Sequence, residues 1–413
     1  MSEPLRTVNV GLIGLGTVGG GVARLINSHH DEYLAAYGID LKLTRACALA
    51  WEQAEAAGIE REAFTSDWHD VVSDPAVDIV VELIGGEHPA TEIFTTAFEN
   101  GKHVVSANKA LLGRHVETLA EKARACGVQI KCEASCGGGI PIVSTLEHDL
   151  VGNKILTIAG ILNGTTNYIL TKMYEEGWGF DEALKMAQKL GYAERNPEAD
   201  IEGYDTCRKI AILTAAASGQ EVDYEQIPTE GITKLTDVDF SYAARLGASI
   251  KLFGTSICRD GRYYLEVAPV FINARNPLYS VSGVFNGILL NSNMLGESMY
   301  YGSGAGKLPT ASAVVGDMIA AVQLKDRPAA LGWTGQRLEV LPVRQLPWKY
   351  FARFEGSREE KKTLTEELFG KVRWLELAGL DEFAILTGPM TGEEFDRAAG
   401  QLGGLRRAIR AQV

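Results

Sequence analysis

The sequence predicts an α/β protein that begins with a doubly wound parallel sheet and continues into an α+β domain and a small C-terminal domain. Three observations support this prediction. In residues 1–135, short β-branched runs alternate with helical stretches; from about 140 to 300, helices and strands are grouped; from residue 348 the order is strand, helix, strand, strand, helix, strand. Alternation is typical of parallel sheets, grouping of α+β domains, and the last order of the ferredoxin-like fold.

Five short segments of the first region read as strands, at 8–13, 41–49, 78–84, 103–107 and 128–134. Most of them are nearly continuous in apolar residues, as expected of strands that are covered on both faces by helices. Pro89 opens a predicted helix that ends at Gly101, and another helix is predicted over 113–127.

The second region carries three predicted helices, at 180–191, 204–219 and 239–254, followed by strand-like segments at 263–272 and 288–294. A further helix is predicted over 302–324, with Pro309 near its start, and it could pack back on the first domain. The predicted division is therefore a first domain (1–135, with 302–325 packing back on it), a second domain (136–301), a linker (326–347) and a third domain (348–413).

The composition argues against several classes of protein. With 46% hydrophobic and 23% charged residues, the chain has the balance of a globular protein. Its net charge of -13 opposes binding to nucleic acid and to anionic membrane surfaces. Because neither a long apolar run nor a leader-like N-terminus is seen, we expect no membrane association and a cytoplasmic location.

The cysteines also fit a reducing compartment. Six cysteines in 413 residues are too few for a disulfide framework, and none is spaced as CxxC. Cys132 and Cys136 are four residues apart, but no histidine or second cysteine pair stands nearby. A structural zinc site is therefore not expected.

A glycine-rich turn follows the first predicted strand and opens a helix, with Gly14, Gly16 and Gly19 in the pattern GxGxxG. The first glycine permits a tight turn, the second lets a pyrophosphate approach the backbone, and the third lets helix and strand pack closely. The free N–H groups of the helix start attract the phosphates. This context predicts a Rossmann-type dinucleotide-binding domain.

The preference between NAD and NADP stays open. An acidic residue at the end of the second strand would bind the ribose hydroxyl of NAD, and an arginine would favour NADP. Neither stands at the expected position, although Glu52 and Arg45 lie nearby.

Two lysines have a chemical interpretation. Lys109 follows the fourth predicted strand at the sheet edge where ligands bind, so it could bind a carboxylate or relay a proton. Lys209 lies four residues after Asp205 on one helix face, next to a run of carboxylates. Such a lysine is either part of an exposed ion pair or a residue positioned for proton transfer.

The stretch from Glu133 to Pro141 contains three consecutive glycines between the first and second domains. It is either a hinge or, through its carbonyls and the Glu133 carboxylate, a site for a hard cation.

Taken together, the motifs resemble those of the homoserine dehydrogenases along roughly residues 8 to 325. The resemblance rests on seven blocks in the same order: GLGTVG (14–19), ELIGG (82–86), SANK (106–109), EASCGGGIPI (133–142), ILNGTTNYIL (161–170), LGYAERNPEADIEGYDTCRKIAIL (190–213) and GSGAGKLPTASAVVGD (302–317).

This resemblance implies NAD- or NADP-dependent reversible reduction of L-aspartate 4-semialdehyde to L-homoserine, in the pathway to threonine, methionine and isoleucine. It makes Lys209 the general acid, Asp205 the residue that orients it, and Lys109 a support of the proton relay that also touches the cofactor.

The resemblance also implies three sets of binding residues. The cofactor would contact Gly14, Gly16, Thr17, Val18, Gly19, Ser106, Lys109 and Gly306. The substrate would contact Gly164, Thr165, Tyr192, Glu194 and Asp200. A monovalent cation, commonly sodium, would be bound by Glu133 and by the carbonyls of Cys136, Gly138 and Ile140.

For the second domain the resemblance implies substrate binding and assembly into a homodimer or larger homo-oligomer. It implies an ACT-like third domain, but the stretch from Phe354 to Glu360 lacks the Pro-Gly turn that many family members use for an effector. We therefore expect this domain to contribute mainly to assembly.

Two other functions compete with this interpretation. An aspartate-semialdehyde dehydrogenase would need a thiolate nucleophile, for which Cys136 is the only cysteine in a plausible position. A non-catalytic nucleotide and amino-acid sensor would have no use for the paired Asp205 and Lys209.

Overall fold

The computed structural model describes residues 6–324 and 334–413, which form two compact units. The first unit contains the chain up to residue 154 together with 211–224 and 302–338, and the second contains 155–210, 225–301 and 339–413. Residue 325 of the segment predicted to pack back, and residues 326–333 of the predicted linker, lie outside the described residues.

The first unit is built on a parallel sheet. Its strands are β1 (Arg6–Ile13), β2 (Ile39–Cys47), β3 (Phe64–Thr65), β4 (Ile79–Glu82), β5 (His103–Ser106) and β6 (Ile130–Lys131). They lie in the order β3-β2-β1-β4-β5-β6, and every pairing is parallel. The predicted Rossmann-like sheet is confirmed. Strand β3 was not predicted because two residues carry no periodicity.

Helices connect these strands. They are α1 (Thr17–Ser28), α2 (His30–Tyr37), α3 (Trp51–Ala56), α4 (Trp68–Ser73), α5 (Ala90–Glu99) and α6 (Lys109–Ala125). Helix α6 begins four residues before the predicted start at 113, because the Asn108 side chain accepts a hydrogen bond from the backbone of Leu111 and caps the helix there.

The second unit contains one large mixed sheet. Its first strands are β7 (Ile155–Ile161), β8 (Ala248–Arg259), β9 (Arg262–Asn273), β10 (Phe285–Ser292) and β11 (Gly296–Ser303). Five helices precede β8: α7 (Gly164–Glu175), α8 (Phe180–Lys189), α9 (Glu198–Ile201), α10 (Tyr204–Ser218) and α11 (Asp237–Arg245). The residues of α10 after Ile210 belong to the first unit.

The predicted helix over 239–254 is wrong in its second half. Helix α11 ends at Arg245, Gly247 adopts a positive φ of 62°, and β8 begins at Ala248. A glycine with positive φ commonly terminates a helix. The residues after Gly247 form a strand that is buried from 248 to 256, and its apolar run resembles a buried helix in sequence.

Helix α12 (Lys307–Gln323) belongs to the first unit, where it packs against α1 and the parallel sheet. The shared core includes Val10, Val22, Val81 and Met318. The prediction that this helix begins at residue 302 is wrong, because residues 302–303 still belong to β11 and the turn through Gly306 precedes the helix.

The C-terminal elements are β12 (Val340–Pro342), β13 (Lys349–Glu355), α13 (Arg358–Phe369), β14 (Arg373–Leu375), β15 (Glu382–Leu386), α14 (Gly392–Leu402) and β16 (Leu405–Gln412). From β13 onwards the order is the one predicted from the sequence. These strands extend the second unit's sheet, whose order is β11-β10-β7-β8-β9-β16-β13-β15-β14, with β12 also paired to β9.

No helix within residues 6–324 and 334–413 is long and apolar enough to cross a membrane.

Candidate functional site

The glycine-rich turn has the backbone geometry that its sequence predicts. Gly14 has a φ of 99°, and its N–H donates to the Cys47 carbonyl at 2.9 Å. A Cβ on Gly14 would lie 2.8 Å from the Leu83 carbonyl carbon, and one on Gly19 only 2.0 Å from the Gly14 oxygen. Glycine is therefore required at both positions.

Gly16 differs from its neighbours, because a Cβ placed there would have no atom of the described chain within 4 Å. It is the N-cap of α1, no described side chain caps the helix, and its first turn holds no acidic residue. Thr17 and Val18 follow as the first helical residues. This helix start can accept a pyrophosphate, whose charge is favoured by the free N–H groups and the helix dipole.

A buried carboxylate that the sequence did not single out lies at the same edge of the sheet. Glu82 ends β4 and pairs in register with Ser106 of β5. Its carboxylate accepts hydrogen bonds from the backbone N–H groups of Ile84 and Gly85, at 2.8 and 3.0 Å, and from the Ser106 hydroxyl at 2.8 Å. The Ser106 side chain is therefore engaged in shaping this edge.

Lys109 stands next to this edge as the first residue of α6, and it is half-buried. The Asn108 amide donates to the Gly86 carbonyl at 2.7 Å while its oxygen caps the helix. These two hydrogen bonds hold the ELIGG and SANK motifs together and fix the start of α6, where Lys109 lies.

The predicted cation loop lies against the turn that precedes α12. Gly137 and Gly138 both adopt positive φ, and a Cβ on Gly138 would lie 2.5 Å from the Gly304 carbonyl carbon. The Gly139 N–H donates to the Ser303 carbonyl at 3.2 Å. The two glycine-rich motifs, which include Ile140 and Gly306, are therefore neighbours in the first unit.

Glu133 holds this loop through its carboxylate. Its Oε1 accepts from the N–H groups of Ile142 and Val143, at 2.7 and 2.9 Å, and its Oε2 accepts from that of Ser144 at 2.7 Å. The Glu133 N–H donates to Asp317 of α12 at 2.8 Å. Burial raises the pKa of Asp317 well above its ordinary value. The carboxylate of Glu133 thus accepts hydrogen bonds from three backbone amides.

Lys209 is held by two acceptors in the second unit. Its Nζ lies 2.6 Å from Asp205 Oδ2 and donates to the Leu162 carbonyl at 2.7 Å. Lys209 is 6% exposed and Asp205 8%. The pair was considered from the sequence as an exposed ion pair or a positioned lysine, and this burial excludes the exposed ion pair.

Asn163 connects the carboxylates of this cluster. Its Nδ2 donates to Asp200 Oδ1 at 2.7 Å and to Asp205 Oδ2 at 3.0 Å, and its Oδ1 accepts from the Thr166 N–H at 2.9 Å. The last bond makes it the N-cap of α7. Burial, with a further contribution from Asp205, raises the pKa of Asp200. Only its place after a strand and before a helix marks Asn163 in the sequence.

Of the remaining predicted substrate residues, some make close contacts in the second unit and others are exposed. The Thr165 hydroxyl donates to the Tyr192 carbonyl at 2.6 Å, and a Cβ on Gly164 would lie 2.6 Å from the Val284 oxygen. Tyr192 is 43% exposed and packs on Tyr168. Glu194 is exposed. Asp200, Asp205 and Lys209 are thus assembled directly, while Glu194 lies at the surface.

The positions of Arg45 and Glu52 do not decide between NAD and NADP. The Arg45 side chain forms an ion pair with Asp74 at 2.7 Å and donates to the Glu62 carbonyl at 3.0 Å. Glu52 lies in the first turn of α3. Cys136, the thiol considered as a nucleophile, is fully buried.

Comparisons with known proteins agree on one family. The chain matches the profile of the homoserine dehydrogenase domain over residues 141–319 and that of the homoserine dehydrogenase NAD binding domain over 14–133. Homoserine dehydrogenase of Synechocystis sp. is 41% identical over 360 residues, which cover 84% of this chain and 83% of that protein.

Solved structures agree as well. A homoserine dehydrogenase from Thiobacillus denitrificans matches with a TM-score of 0.91 and 35% identity over 99% of both chains. A hyperthermophilic archaeal homoserine dehydrogenase mutant, solved in complex with NADPH, matches with a TM-score of 0.65 and 28% identity over 77% of this chain and 98% of that chain. From these likenesses, we conclude that this chain belongs to the homoserine dehydrogenase family of oxidoreductases.

Proposed function

We propose that this homoserine dehydrogenase reversibly reduces L-aspartate 4-semialdehyde to L-homoserine with Lys209 as general acid, in the route to threonine, methionine and isoleucine. The observation that carries the proposal is the position of Lys209, buried between the Asp205 carboxylate and the Leu162 carbonyl. A lysine held in one orientation by two acceptors can deliver a proton to a defined point.

The step balances as follows. A hydride adds to the aldehyde carbon, the carbonyl π electrons move to oxygen, and the Lys209 ammonium donates the proton that forms the alcohol. In the reverse direction, neutral Lys209 removes the hydroxyl proton. The positive charge also stabilises the oxyanion as it forms, which is commonly a large part of the rate enhancement.

Asp205 and Asn163 position this lysine. Asp205 directs the ammonium group through their ion pair, and Asn163 donates hydrogen bonds to both Asp205 and Asp200 through its amide. Asp200, with Glu194 and the backbone near Gly164, Thr165 and Tyr192, would bind the substrate's ammonium group. Lys109 would support the proton relay from the first unit's sheet edge.

The glycine turn fits a nicotinamide dinucleotide. Gly16, Thr17 and Val18 offer N–H groups at an uncapped helix start, and Gly14 and Gly19 keep the backbone close. We propose that this turn, with Ser106, Lys109 and Gly306, binds NAD or NADP, as the archaeal relative binds NADPH. When bound, the reduced cofactor supplies the hydride. Arg45 already forms an ion pair with Asp74, so its presence does not indicate a preference for NADP. A direct assay with both cofactors compares them.

We propose that the loop of Cys136, Gly138 and Ile140 binds a monovalent cation, with sodium the first to test. Its support is the set of carbonyl donors in a turn imposed by positive φ at Gly137 and Gly138. Glu133 then contributes negative charge while its carboxylate holds the loop. Replacing sodium salts by tetramethylammonium salts should lower activity; unchanged activity would remove the cation from the proposal.

Assembly and domain roles are also proposed. Strand β11 lies at the edge of the second unit's sheet, with Met299 and Tyr301 exposed along it and Met294 and Leu295 exposed in the preceding turn. An unpaired edge with apolar side chains suits pairing in a homodimer or larger assembly. Light scattering on the purified protein tests this.

For the C-terminal residues 348–413, we propose an ACT-like domain that acts in assembly. Its support is the local order β16-β13-β15-β14 with two helices. A cytoplasmic location is supported by the six cysteines, none of which forms a disulfide.

The decisive experiment is a steady-state assay of the full-length protein with NADPH and with NADH. Oxidation of the cofactor should require L-aspartate 4-semialdehyde. Lys209→Met should abolish turnover while retaining nucleotide binding, whereas Lys185→Met, which changes an exposed lysine of α8, should behave as wild type. Normal turnover in Lys209→Met would reject the assigned role.

A further inference from the structure

A cavity of about 240 Å³ lies in the second unit, where β16 packs between β9 and β13 and under α14. Its walls include Arg407, Arg410, Glu266, Tyr350 and Phe395. We call this the arginine cavity. None of these residues belongs to the Lys209 cluster.

The arginine cavity contains a buried guanidinium without hydrogen bonds. Arg410 is 4% exposed, and none of its Nε, Nη1 and Nη2 atoms has a hydrogen-bond partner among the described residues. Its charge contacts Glu266 Oε2 at 2.5 Å without hydrogen-bond geometry, and its guanidinium lies over the Trp348 ring at 5.0 Å. Burial lowers the pKa of Arg410, yet a guanidinium stays protonated in proteins. The positive charge is therefore fixed in place.

A second arginine adds further donors. Arg407 forms an ion pair with Glu230 through Nη1 at 2.9 Å, but its Nε and Nη2 lack hydrogen-bond partners among the described residues. On the acceptor side, Glu266 Oε2 is engaged by the Arg410 charge, and the Tyr350 hydroxyl interacts with Arg344. Arg344, which also lines the cavity, is engaged by Asp396 at 2.6 Å.

In the arginine cavity, the polar groups without hydrogen-bond partners are mainly donors. Five guanidinium nitrogens of Arg407 and Arg410 lack a hydrogen-bond partner among the described residues, whereas the Glu266 carboxylate is already engaged by the Arg410 charge. Buried polar groups without partners are costly, so native proteins satisfy nearly all of them with protein, water or ligand. An excess of donors calls for a group rich in acceptor oxygens, and a carboxylate matches the planar fork of arginine in a bidentate manner.

The rest of the cavity limits what such a ligand can be. Its volume of about 240 Å³ leaves room for a small organic molecule and not for a large one. Phe395, Leu405 and Ile409 supply apolar lining beside the polar groups. A small molecule with a few carbon atoms fits this division, whereas a bare inorganic oxyanion would leave the apolar wall without a partner.

We propose that the arginine cavity binds a small carboxylate, with its oxygens on Arg410 and Arg407 and its short hydrocarbon part against Phe395 and Ile409. This site is separate from the dehydrogenase reaction and does not depend on it. A ligand there bridges β9 and β16, so it stabilises the attachment of the C-terminal strands to the rest of the sheet.

Thermal unfolding of the full-length protein, titrated with sodium butyrate, tests the proposal. Ligands that bind only the folded state raise the midpoint in a saturable way. We expect a saturable rise with butyrate that sodium chloride of equal ionic strength does not produce. Sodium phosphate distinguishes the two oxyanion classes: saturation by phosphate but not by butyrate would overturn the carboxylate assignment, as would no saturable rise with butyrate.

Matched variants locate the binding. Arg410→Lys keeps the charge but loses the fork, and we expect at least a tenfold weaker butyrate affinity. Arg397→Lys makes the same change at an exposed residue of α14 and should leave the affinity unchanged. Equal affinity in Arg410→Lys and wild type would overturn the site.

A third variant and a direct measurement guard against misfolding of Arg410→Lys. Tyr350→Phe removes one buried hydroxyl and should weaken butyrate binding a few-fold. Crystals of the wild-type protein soaked in 3-bromopropionate should show bromine anomalous density between Arg410 and Phe395. Water alone in the cavity of such crystals would overturn the proposal.

Discussion

Lys209 and Asp205 form a buried pair, with Nζ and Oδ2 2.6 Å apart on the first two turns of α10. The spacing of four residues places both side chains on one face of the helix. Helix α10 packs this face inward, and the Leu162 carbonyl and the Asn163 amide complete the shell around the two charges. The pair is therefore positioned by two separate segments of the second unit, α10 and the residues that follow β7.

Removing one member of this pair should have separable effects on stability and catalysis. Asp205→Asn leaves a buried lysine without its counter-charge, which typically costs about 3–5 kcal/mol of unfolding free energy. The double variant Asp205→Asn/Lys209→Met should recover most of that stability, because no unpaired charge remains. It should stay inactive. Urea unfolding and steady-state kinetics of both single variants and the double variant measure the two effects.

A purely structural role would give a different pattern. If the double variant regained turnover together with stability, Lys209 would have no part in the chemistry. Asp205→Asn is expected to lower kcat by about 10²-fold, because the proton donor Lys209 loses the carboxylate that orients it, with a smaller change in KM. Nucleotide binding, followed by fluorescence of the reduced cofactor, should be unchanged in all three variants.

The glycine turn offers a matched pair of substitutions. Gly19→Ala places a Cβ 2.0 Å from the Gly14 oxygen, so the turn must distort and the first unit loses stability. Gly16→Ala meets no atom of the described chain within 4 Å, so the fold should be kept. The methyl group that Gly16→Ala introduces instead occupies the space through which a pyrophosphate would approach.

We therefore expect Gly16→Ala to unfold at nearly the wild-type temperature while its KM for NADPH and NADH rises at least tenfold. Gly19→Ala should unfold at a clearly lower temperature even without cofactor. Calorimetry and cofactor titration distinguish the two. An unchanged cofactor KM in Gly16→Ala would place the dinucleotide elsewhere.

The parts of the fold that follow from local rules could be predicted. The turn at Gly14 to Gly19 needs only short-range sterics, and the alternation of strands and helices in the first unit reflects period and punctuation. The helix predicted over 239–254 is wrong in its second half, because the start of strand β8 has the same apolar run as a buried helix. Gly247 was the available signal, since a glycine after a helical run often marks its end.

The polar shells could not be predicted, because their members are distant in sequence. Glu82 meets the Ser106 hydroxyl, and Asn163 meets Asp200 and Asp205, only once strands and helices have assembled. In the sequence, Asn163 appears only within the block ILNGTTNYIL (161–170), and no role of its own is predicted for it. Its position between β7 and α7 makes it at once a helix cap and a link between two carboxylates.

We predict that the Asp200 carboxylate lowers the stability of the folded protein at neutral pH and strengthens substrate binding. Burial raises its pKa, so the folded state favours the protonated form and the stability from this group is lost as pH rises through the folded pKa. Asp200→Asn mimics the protonated form and keeps an acceptor for Asn163. At pH 7 the variant should be more stable than wild type, and the gain should vanish below the ordinary pKa of an aspartate, near 3.8.

The same substitution should impair substrate binding. Loss of a charged hydrogen bond, worth roughly 1.5–3 kcal/mol, corresponds to a rise in KM for L-homoserine of about tenfold or more. Unfolding free energies at pH 7 and pH 3.5, with homoserine kinetics at pH 7, test both halves. A variant that is less stable at pH 7 would contradict the first half, and an unchanged KM the second.

Lys251 should control how stability depends on alkaline pH. It is 2% exposed on β8, its Nζ donates to the Val281 carbonyl at 2.6 Å, and burial lowers its pKa to about 8. An unfolded lysine titrates near 10.5, so between these values the unfolded state holds a proton that the folded state has released. Stability from this group therefore rises with pH across that window, by roughly 3 kcal/mol in total.

The comparison with Lys251→Met isolates this contribution from other titrating groups. The variant loses the hydrogen bond to Val281 by a pH-independent amount, but it also removes the buried charge. The unfolding free energy of wild type minus that of the variant should be constant below pH 7 and should then increase steadily between pH 8 and 10.5. Urea denaturation of both proteins across this range measures it. A difference that stays flat would show that Lys251 keeps its ordinary pKa in the folded protein.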